Sequence, residues 1–359
     1  MVSSSQAGGR VLVTGGAGFI GTTLAVSLAD HAARWVVLDN LHPQVHPDSR
    51  PPAELPHSVQ LRVGDVTRAE DLDAVVADLR PDTVIHLAAE TGTAQSLSES
   101  TRHGMVNVVG TTQLLDAFTR AAHIPSHFVL TSSRAVYGEG VWRNADGTTF
   151  QPGLRTHAQL EEGRWDHGTG AEHVPNSVAG THPNPINVYG ATKLAQEQIL
   201  SAWTGSHDTK LSTLRLQNVY GPRQSLTNPY TGIVSLFSRL AREGKSIPLY
   251  EDGDITRDFV YIDDVVTALV AAVAAPPAEH IRTADVGSGV RTTIGDLARE
   301  VAAYHSAPEP HVTGQFRDGD VRHASCTVED TVAQFDWQPR VSLREGVAGL
   351  QEWIATQLD

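Results

Sequence analysis

Val11-Leu-Val-Thr14 runs directly into Gly15-Gly-Ala-Gly18-Phe-Ile-Gly21, which opens a helical pattern reaching Leu28. A short apolar strand, a glycine turn and a helix in immediate succession leave a chain few architectures. In this arrangement a pyrophosphate can rest against the helix N-terminus with no side chain in the way. A glycine turn can also serve only to connect two elements, so its neighbours decide. The next apolar run, Trp35-Val-Val-Leu-Asp39, ends in an acid about 20 residues after the turn, where a carboxylate would accept from an adenosine ribose hydroxyl. No arginine follows Asp39 to meet a ribose phosphate; the chain continues Asn40-Leu41-His42. The turn, with Gly15, Gly18, Phe19, Ile20 and Gly21, therefore predicts a site for NAD rather than NADP.

Further strands are predicted at Val59–Val63, Thr83–Ala88 and His127–Ser132, separated by helical patterns. Such alternation implies an α/β fold with a doubly wound parallel sheet, whose ligands collect at the carboxyl ends of the strands. Asp65 and Val66, just past the third strand, are expected at the adenine edge, although an acid there also suits an ordinary turn. Leu87, Ala88, Ala89 and Glu90 would line the cofactor cleft. Ser133 stands where a catalytic hydroxyl would be expected, and a serine at a strand end can equally be a cap.

Tyr189-Gly-Ala-Thr-Lys193 begins a segment that reads as helix through Trp203. Positions i and i+4 share a helix face, so phenol and ammonium can reach one site together. A phenol is a poor base at neutral pH, and a nearby cation favours its ionised form. By itself the pair could be a half-buried ring beside a solvated charge.

Composition limits the partners. Lys plus Arg number 27 against 41 Asp plus Glu, a net charge of −14, which disfavours nonspecific binding to nucleic acid or anionic membrane. An anionic ligand would need a local basic pocket. The single cysteine, Cys326, excludes an internal disulfide framework and points to a reducing cytoplasm. No run of about 18 apolar residues occurs, and the first ten residues lack the apolar core of a signal peptide.

Four motifs together carry a specific resemblance: Thr14-Gly-Gly-Ala-Gly-Phe-Ile-Gly21, Ser132-Ser-Arg-Ala-Val-Tyr-Gly138, Tyr189-Gly-Ala-Thr-Lys193 and Arg257-Asp-Phe-Val-Tyr-Ile-Asp-Asp264. Over essentially its whole length the chain resembles the extended short-chain dehydrogenase/reductase family, the nucleotide-sugar epimerases and dehydratases. That resemblance implies a Rossmann-type NAD-binding domain over residues 1–217, with an insertion or lid at about 139–183. A smaller α/β sugar-nucleotide lobe would cover 218–359, with about 260–290 returning to the first domain. It implies Ser133 on the sugar hydroxyl that is oxidised, Tyr189 as the acid/base, and Lys193 holding the nicotinamide ribose and lowering the tyrosine's pKa. Asn218, Arg257 and Arg317, the last within Arg317-Asp-Gly-Asp320, would bind the substrate diphosphate, Asp320 lying in the same substrate set. The two arginines could instead be ion-paired surface residues.

Within that family the 4,6-dehydratases carry an Asp-Glu pair after the catalytic hydroxyl; here Arg134-Ala135 follows, which disfavours dehydration. The resemblance then implies 4-epimerisation of a nucleotide-diphosphate hexose through a transient 4-keto sugar. The motif Ser132–Gly140, the insertion and Gln224–Ile233 look most like the dTDP-L-rhamnose 4-epimerase group. A UDP-hexose or UDP-uronate epimerase, or a net oxidoreductase on a nucleotide sugar, stays open. Loops near Thr93, Arg134 and Tyr230 are expected to shape the sugar pocket. Phe237 is expected either over the nucleotide base or in the core. Gly138–Pro183 reads as an irregular lid whose His157, His167, His173 and His182 are solvated rather than metal ligands. Helices Gly110–Ala122 and Thr192–Trp203 would form a homodimer through a four-helix bundle.

Overall fold

The computed structural model describes residues 9–226 and 232–358. Tyr230 therefore lies outside the described residues. Seven parallel strands form one sheet in the order Ile281–Val286, Lys210–Leu216, His127–Ser133, Thr83–His86, Arg10–Thr14, Arg34–Asp39, Val59–Val63. The order reverses beside Arg10–Thr14, so the carboxyl ends of that strand and of Thr83–His86 open onto a crevice.

Continuous apolar runs build this sheet because both of its faces are covered, and successive side chains go to opposite faces. Val11 and Val13 pack with Leu24, Leu28, Val265 and Leu269 on one side. Leu12, between them, packs with Leu72, Leu114, Phe118 and Leu200 on the other. Helices Phe19–Leu28 and Ile262–Ala274 thus cover one face, and Ala69–Leu79, Gly110–Arg120 and Val188–Gly205 the other. A third core, with Phe237, Ile255, Phe259, Leu297, Val301 and Leu350, holds together a smaller lobe built around helices Ile233–Arg242, Ile294–Tyr304 and Leu343–Leu358.

The insertion differs from the expected irregular lid. Val141–Arg143 pairs antiparallel with both Thr149–Phe150 and Glu172–Val174, and a short helix spans His157–Glu161. Trp142 is fully buried, with the rings of His167, His173 and His323 at 5.0, 6.0 and 5.4 Å. His167 and His173 are therefore not solvated: their side chain and residue are only 7% and 4% exposed. His157 and His182 do lie on the surface. Packing around one indole, which the spacing of the histidines does not announce, is the reason for the difference.

Candidate active site

A cavity of about 910 Å³ runs from the glycine turn to the smaller lobe. Every site residue expected from the sequence within the described chain borders it, from Gly15, Asp39 and Asp65 at one end to Asn218, Arg257 and Arg317 at the other.

Backbone packing forms the cofactor end. Gly15 has φ +69°, and a Cβ there would lie 2.6 Å from the amide nitrogen of Ala88. At Gly21 a Cβ would stand 2.5 Å from the Cα of Gly16, so only glycine lets the helix approach the strand this closely. Gly18 caps the helix Phe19–Leu28 without a side-chain hydrogen bond, which leaves the first N–H groups of that helix free for an anion. Asp39 accepts from the amide nitrogens of Ala17 at 3.0 Å and Leu41 at 2.9 Å, tying the turn to the second strand. Each carboxylate oxygen keeps a second lone pair for a ribose hydroxyl. His46, which sequence reasoning missed, is 4.0 Å from Asp39. Asn40 donates to Asp65 at 3.0 Å, and Asp65 also accepts from the backbone and hydroxyl of Thr67. Those hydrogen bonds hold Asp65 ionised, against the opposing effect of its burial. A glycine cradle with an uncapped helix end and an acid at the second strand fits a dinucleotide.

Midway along the cavity, Ser133 and Tyr189 come together from elements 56 residues apart. Asn187 caps the helix Val188–Gly205 by accepting from Gly190 at 2.8 Å, which sets Tyr189 in its first turn. Burial pushes the Tyr189 phenol up, while a hydrogen bond from Ser133 and the charge of Arg134 act the other way. Lys193 is buried, and its Nζ donates to Gln196 Oε1 at 2.8 Å. Burial pulls the Lys193 ammonium down to about 7, opposed by Glu197.

Behind the pair lies a polar net that no motif signalled. Gln196 reaches Thr111 at 2.9 Å and His86 at 3.2 Å; His86 in turn meets Thr14 at 2.7 Å and Thr111 at 3.0 Å. Burial first, then the charge of Lys193, lowers His86 to about 3, so it is neutral and serves as a relay of hydrogen bonds. A second buried set joins Ser132, Glu197, Arg215, Tyr137 and Asp285. The one available signal was spacing: Gln196 and Glu197 follow Lys193 by one helical turn.

At the substrate end Arg257 donates to Asp320 at 3.0 Å and to the carbonyl of Thr256 at 2.8 Å. Arg317 stacks over Tyr250, 4.9 Å from the ring centroid. Both arginines thus have protein partners and also face the cavity. Asn218 accepts from Arg134 Nε at 2.8 Å. Thr93 borders the same space, and its carbonyl accepts from Ser96 at 2.7 Å. Phe237, 3% exposed, packs in the third core, the second of its two expected places, and also borders the cavity.

The insertion touches this end from behind. Arg155 forms two contacts of 2.9 Å with Glu251 and donates to the carbonyl of Asp320 at 2.9 Å. Arg322 binds Glu251, Asp252 and Asp166 at 2.7–2.9 Å. The substrate-facing loop is therefore fixed by buried ion pairs.

Comparison with known proteins agrees with this geometry. Residues 11–159 and 166–287 match the profile of the NAD dependent epimerase/dehydratase family. The dTDP-L-rhamnose 4-epimerase of Burkholderia thailandensis is 56% identical over 352 residues, covering 98% of this chain and 96% of that protein. A UDP-glucose 4-epimerase of Mycolicibacterium smegmatis is 31% identical, covering 96% and 98%. The crystal structure of a Thermotoga maritima UDP-glucose 4-epimerase with UDP-glucose superposes with a TM-score of 0.79 at 26% identity, over 97% of this chain and 99% of that one. The Thermus thermophilus UDP-glucose 4-epimerase in complex with NAD gives 0.77 at 27%, over 96% and 99%.

Proposed function

The chain belongs to the NAD dependent epimerase/dehydratase family, and on that premise we propose that it interconverts the C4 epimers of a nucleotide-diphosphate hexose through a transient 4-keto sugar. The substrate is a dTDP-6-deoxy-hexose such as dTDP-L-rhamnose, the sugar nucleotide named for the relative that is 56% identical. One observation carries the reading: Ser133, Tyr189 and Lys193 border a single cavity that joins the glycine cradle to Asn218, Arg257 and Arg317.

NAD is the cofactor, held by Gly15, Gly18, Gly21, Asp39, Asp65 and Lys193, and when bound it supplies a reversible hydride acceptor. The chain's own residues do the rest. Asn218, Arg257 and Arg317 bind the diphosphate, since guanidinium groups pair with phosphate oxygens in a water-poor cavity. Ser133 orients the C4 hydroxyl, and Tyr189 takes its proton and later returns it to the opposite face's alcohol. Arg134-Ala135 leaves no carboxylate pair beside Ser133 to drive elimination, so water is not lost. The cavity retains the keto sugar, and rotation about the bond to the diphosphate presents its other face.

Helices Gly110–Arg120 and Val188–Gly205 lie side by side and offer a surface for a homodimer. The buried free thiol of Cys326 suits a reducing cytoplasm.

Incubation with dTDP-L-rhamnose and with UDP-glucose, without added cofactor, tests the proposal. Conversion to the 4-epimer without accumulation of NADH is expected, faster with the dTDP sugar. Stoichiometric NADH would favour net oxidoreduction, and a preference for UDP-glucose would favour the UDP-hexose reading. Tyr189→Phe should lower kcat by about 10²- to 10⁴-fold with the fold retained.

A further inference from the structure

Asp320 links the two arginines at the substrate end. Its carboxylate accepts from Arg257 at 3.0 Å, and its amide nitrogen donates to the carbonyl of Arg317 at 3.3 Å, closing a turn that Gly319 permits with φ +78°. The Asp320 side chain is 34% exposed, so solvent screens its ion pair and that pair alone does little to fix it. Its backbone is held instead. The carbonyl of Asp320 accepts from Arg155 Nη2 at 2.9 Å, a contact made from the insertion across 165 residues of sequence.

Arg155 is itself rigidly placed. Its Nη1 donates to Glu251 Oε2 at 2.9 Å and to the carbonyl of Trp165 at 3.0 Å, and its Nη2 stands 2.9 Å from Glu251 Oε1. Both side chains are almost wholly buried, and a fork on one carboxylate away from water leaves little freedom. Arg322 reaches the same Glu251 at 2.9 Å, its amide nitrogen donates to Glu139 at 3.1 Å, and its carbonyl lies 3.3 Å from Arg257 Nη1. The stretch from Asp320 to Arg322 is thus pinned by Arg155 and by Glu139, which follows the turn Arg134–Tyr137 beside Ser133. That stretch, with the carbonyl of Thr256, holds the Arg257 guanidinium at the cavity and leaves part of its N–H fork for a ligand.

We propose that Arg155 is a positioning residue for substrate binding: by gripping Glu251 and the Asp320 carbonyl together it sets where Arg257 and Arg317 stand, so the insertion tunes affinity for the diphosphate without touching it. This rests on the reading of Arg257 and Arg317 as diphosphate ligands. Arg155 does not border the cavity, and its partners lie in the insertion and the smaller lobe rather than at the glycine turn or beside Tyr189. Its effect is therefore confined to one end of the site. The physical reason is preorganisation: a diphosphate that must first order its arginines loses binding free energy to that ordering.

The test compares wild type, Arg155→Ala, Arg155→Lys and Trp142→Phe in calorimetric binding of dTDP, UDP and NAD, and in kcat and KM for dTDP-L-rhamnose. Arg155→Ala should weaken dTDP binding and raise KM by about 10-fold, with kcat and NAD affinity close to wild type. Arg155→Lys keeps a charge for Glu251 but lacks the planar fork, so it should fall between the two. Trp142→Phe loosens the core of the insertion and leaves every partner of Arg155 in place; it should speed proteolysis within residues 139–183 while dTDP binding stays near wild type. Unchanged dTDP binding in Arg155→Ala, an equal loss of NAD affinity, or an equal loss of dTDP binding in Trp142→Phe overturns the inference, because each makes Arg155 a part of the insertion's stability only. Where Arg155→Ala does not fold, the same outcomes are read from Arg155→Lys. A wild type that binds neither dTDP nor UDP would instead overturn the nucleotide-diphosphate reading of the cavity, and the inference with it.

Discussion

Along His127–Ser133 every residue is buried, and neighbouring strands and helices supply apolar partners on both faces. In the insertion the buried groups include two charges, Glu139 at 1% exposure and Arg155 at 5%, and the neutral imidazole of His173 at 4%. Their partners come from the far lobe, Glu251, Arg322 and His323. The sheet is held by area removed from water, which is non-directional and tolerant of exchange among apolar residues. The insertion is held by ion pairs, of which Arg155–Glu251 is stripped of water on both sides, so it is valuable only while both partners stay. One region should degrade gradually under mutation and the other abruptly.

Arg322→Ala offers the largest test. It removes the partner of Asp252 and Asp166 and one of the two arginines on Glu251, which Arg155 still holds, and should cost about 3 kcal/mol, the low end for a broken buried pair. Limited proteolysis should then cut within residues 139–183 at urea concentrations that leave the sheet's circular dichroism intact. A variant that melts as one unit at the wild-type midpoint would break the comparison.

Acidification acts next, and on both regions. Burial lowers His86 and His173 to about 3 and His127 to about 4. Such histidines bind protons in the unfolded chain near their ordinary pKa of about 6.5 but not in the native one, so the unfolded state gains as pH falls from there toward about 3–4. The urea midpoint should therefore decline below pH 6.5, by about 1.4 kcal/mol per fully protonating histidine at pH 5.5. His173→Gln should flatten that slope for proteolysis of the insertion and leave it for the sheet, where His86 and His127 remain. A slope equally flattened in both would merge the two regions.

At the bottom of the scale stands Asp73→Ala. Its partner Arg120 is bound at 2.7 Å, but both side chains are more than two-fifths exposed. Loss of that pair should leave the urea midpoint nearly unmoved, because solvent screens both charges. A larger effect would show that solvent exposure is not what separates the weak pairs from those under the insertion.

Much of the site could be read from the chain because its parts are local. The turn Gly15–Gly21, the acid Asp39 at the second strand end and the Tyr189–Lys193 spacing each depend on a few adjacent residues, and all border one cavity. The insertion was misjudged for the converse reason. Its short strands are only two or three residues long, too few for a period of two to stand out, and its scattered histidines gather only around Trp142. Gln196 and His86 were passed over because a buried polar net has no periodicity at all.

By itself the amino-acid order determined the parallel sheet, the glycine cradle and the face on which a phenol and an ammonium stand, since strand alternation, glycine conformation and helical pitch are properties of neighbouring residues. Tertiary structure alone decided which arginine holds the Asn218 amide, which acid meets which arginine, and that the insertion is a packed subdomain. Arg134 and Asn218 are 84 residues apart, Arg155 and Glu251 are 96 apart, and Arg155 and Asp320 are 165 apart. No local pattern encodes a partner at that separation; packing of the whole chain selects it, because a buried charge is stable only where a complementary one arrives beside it.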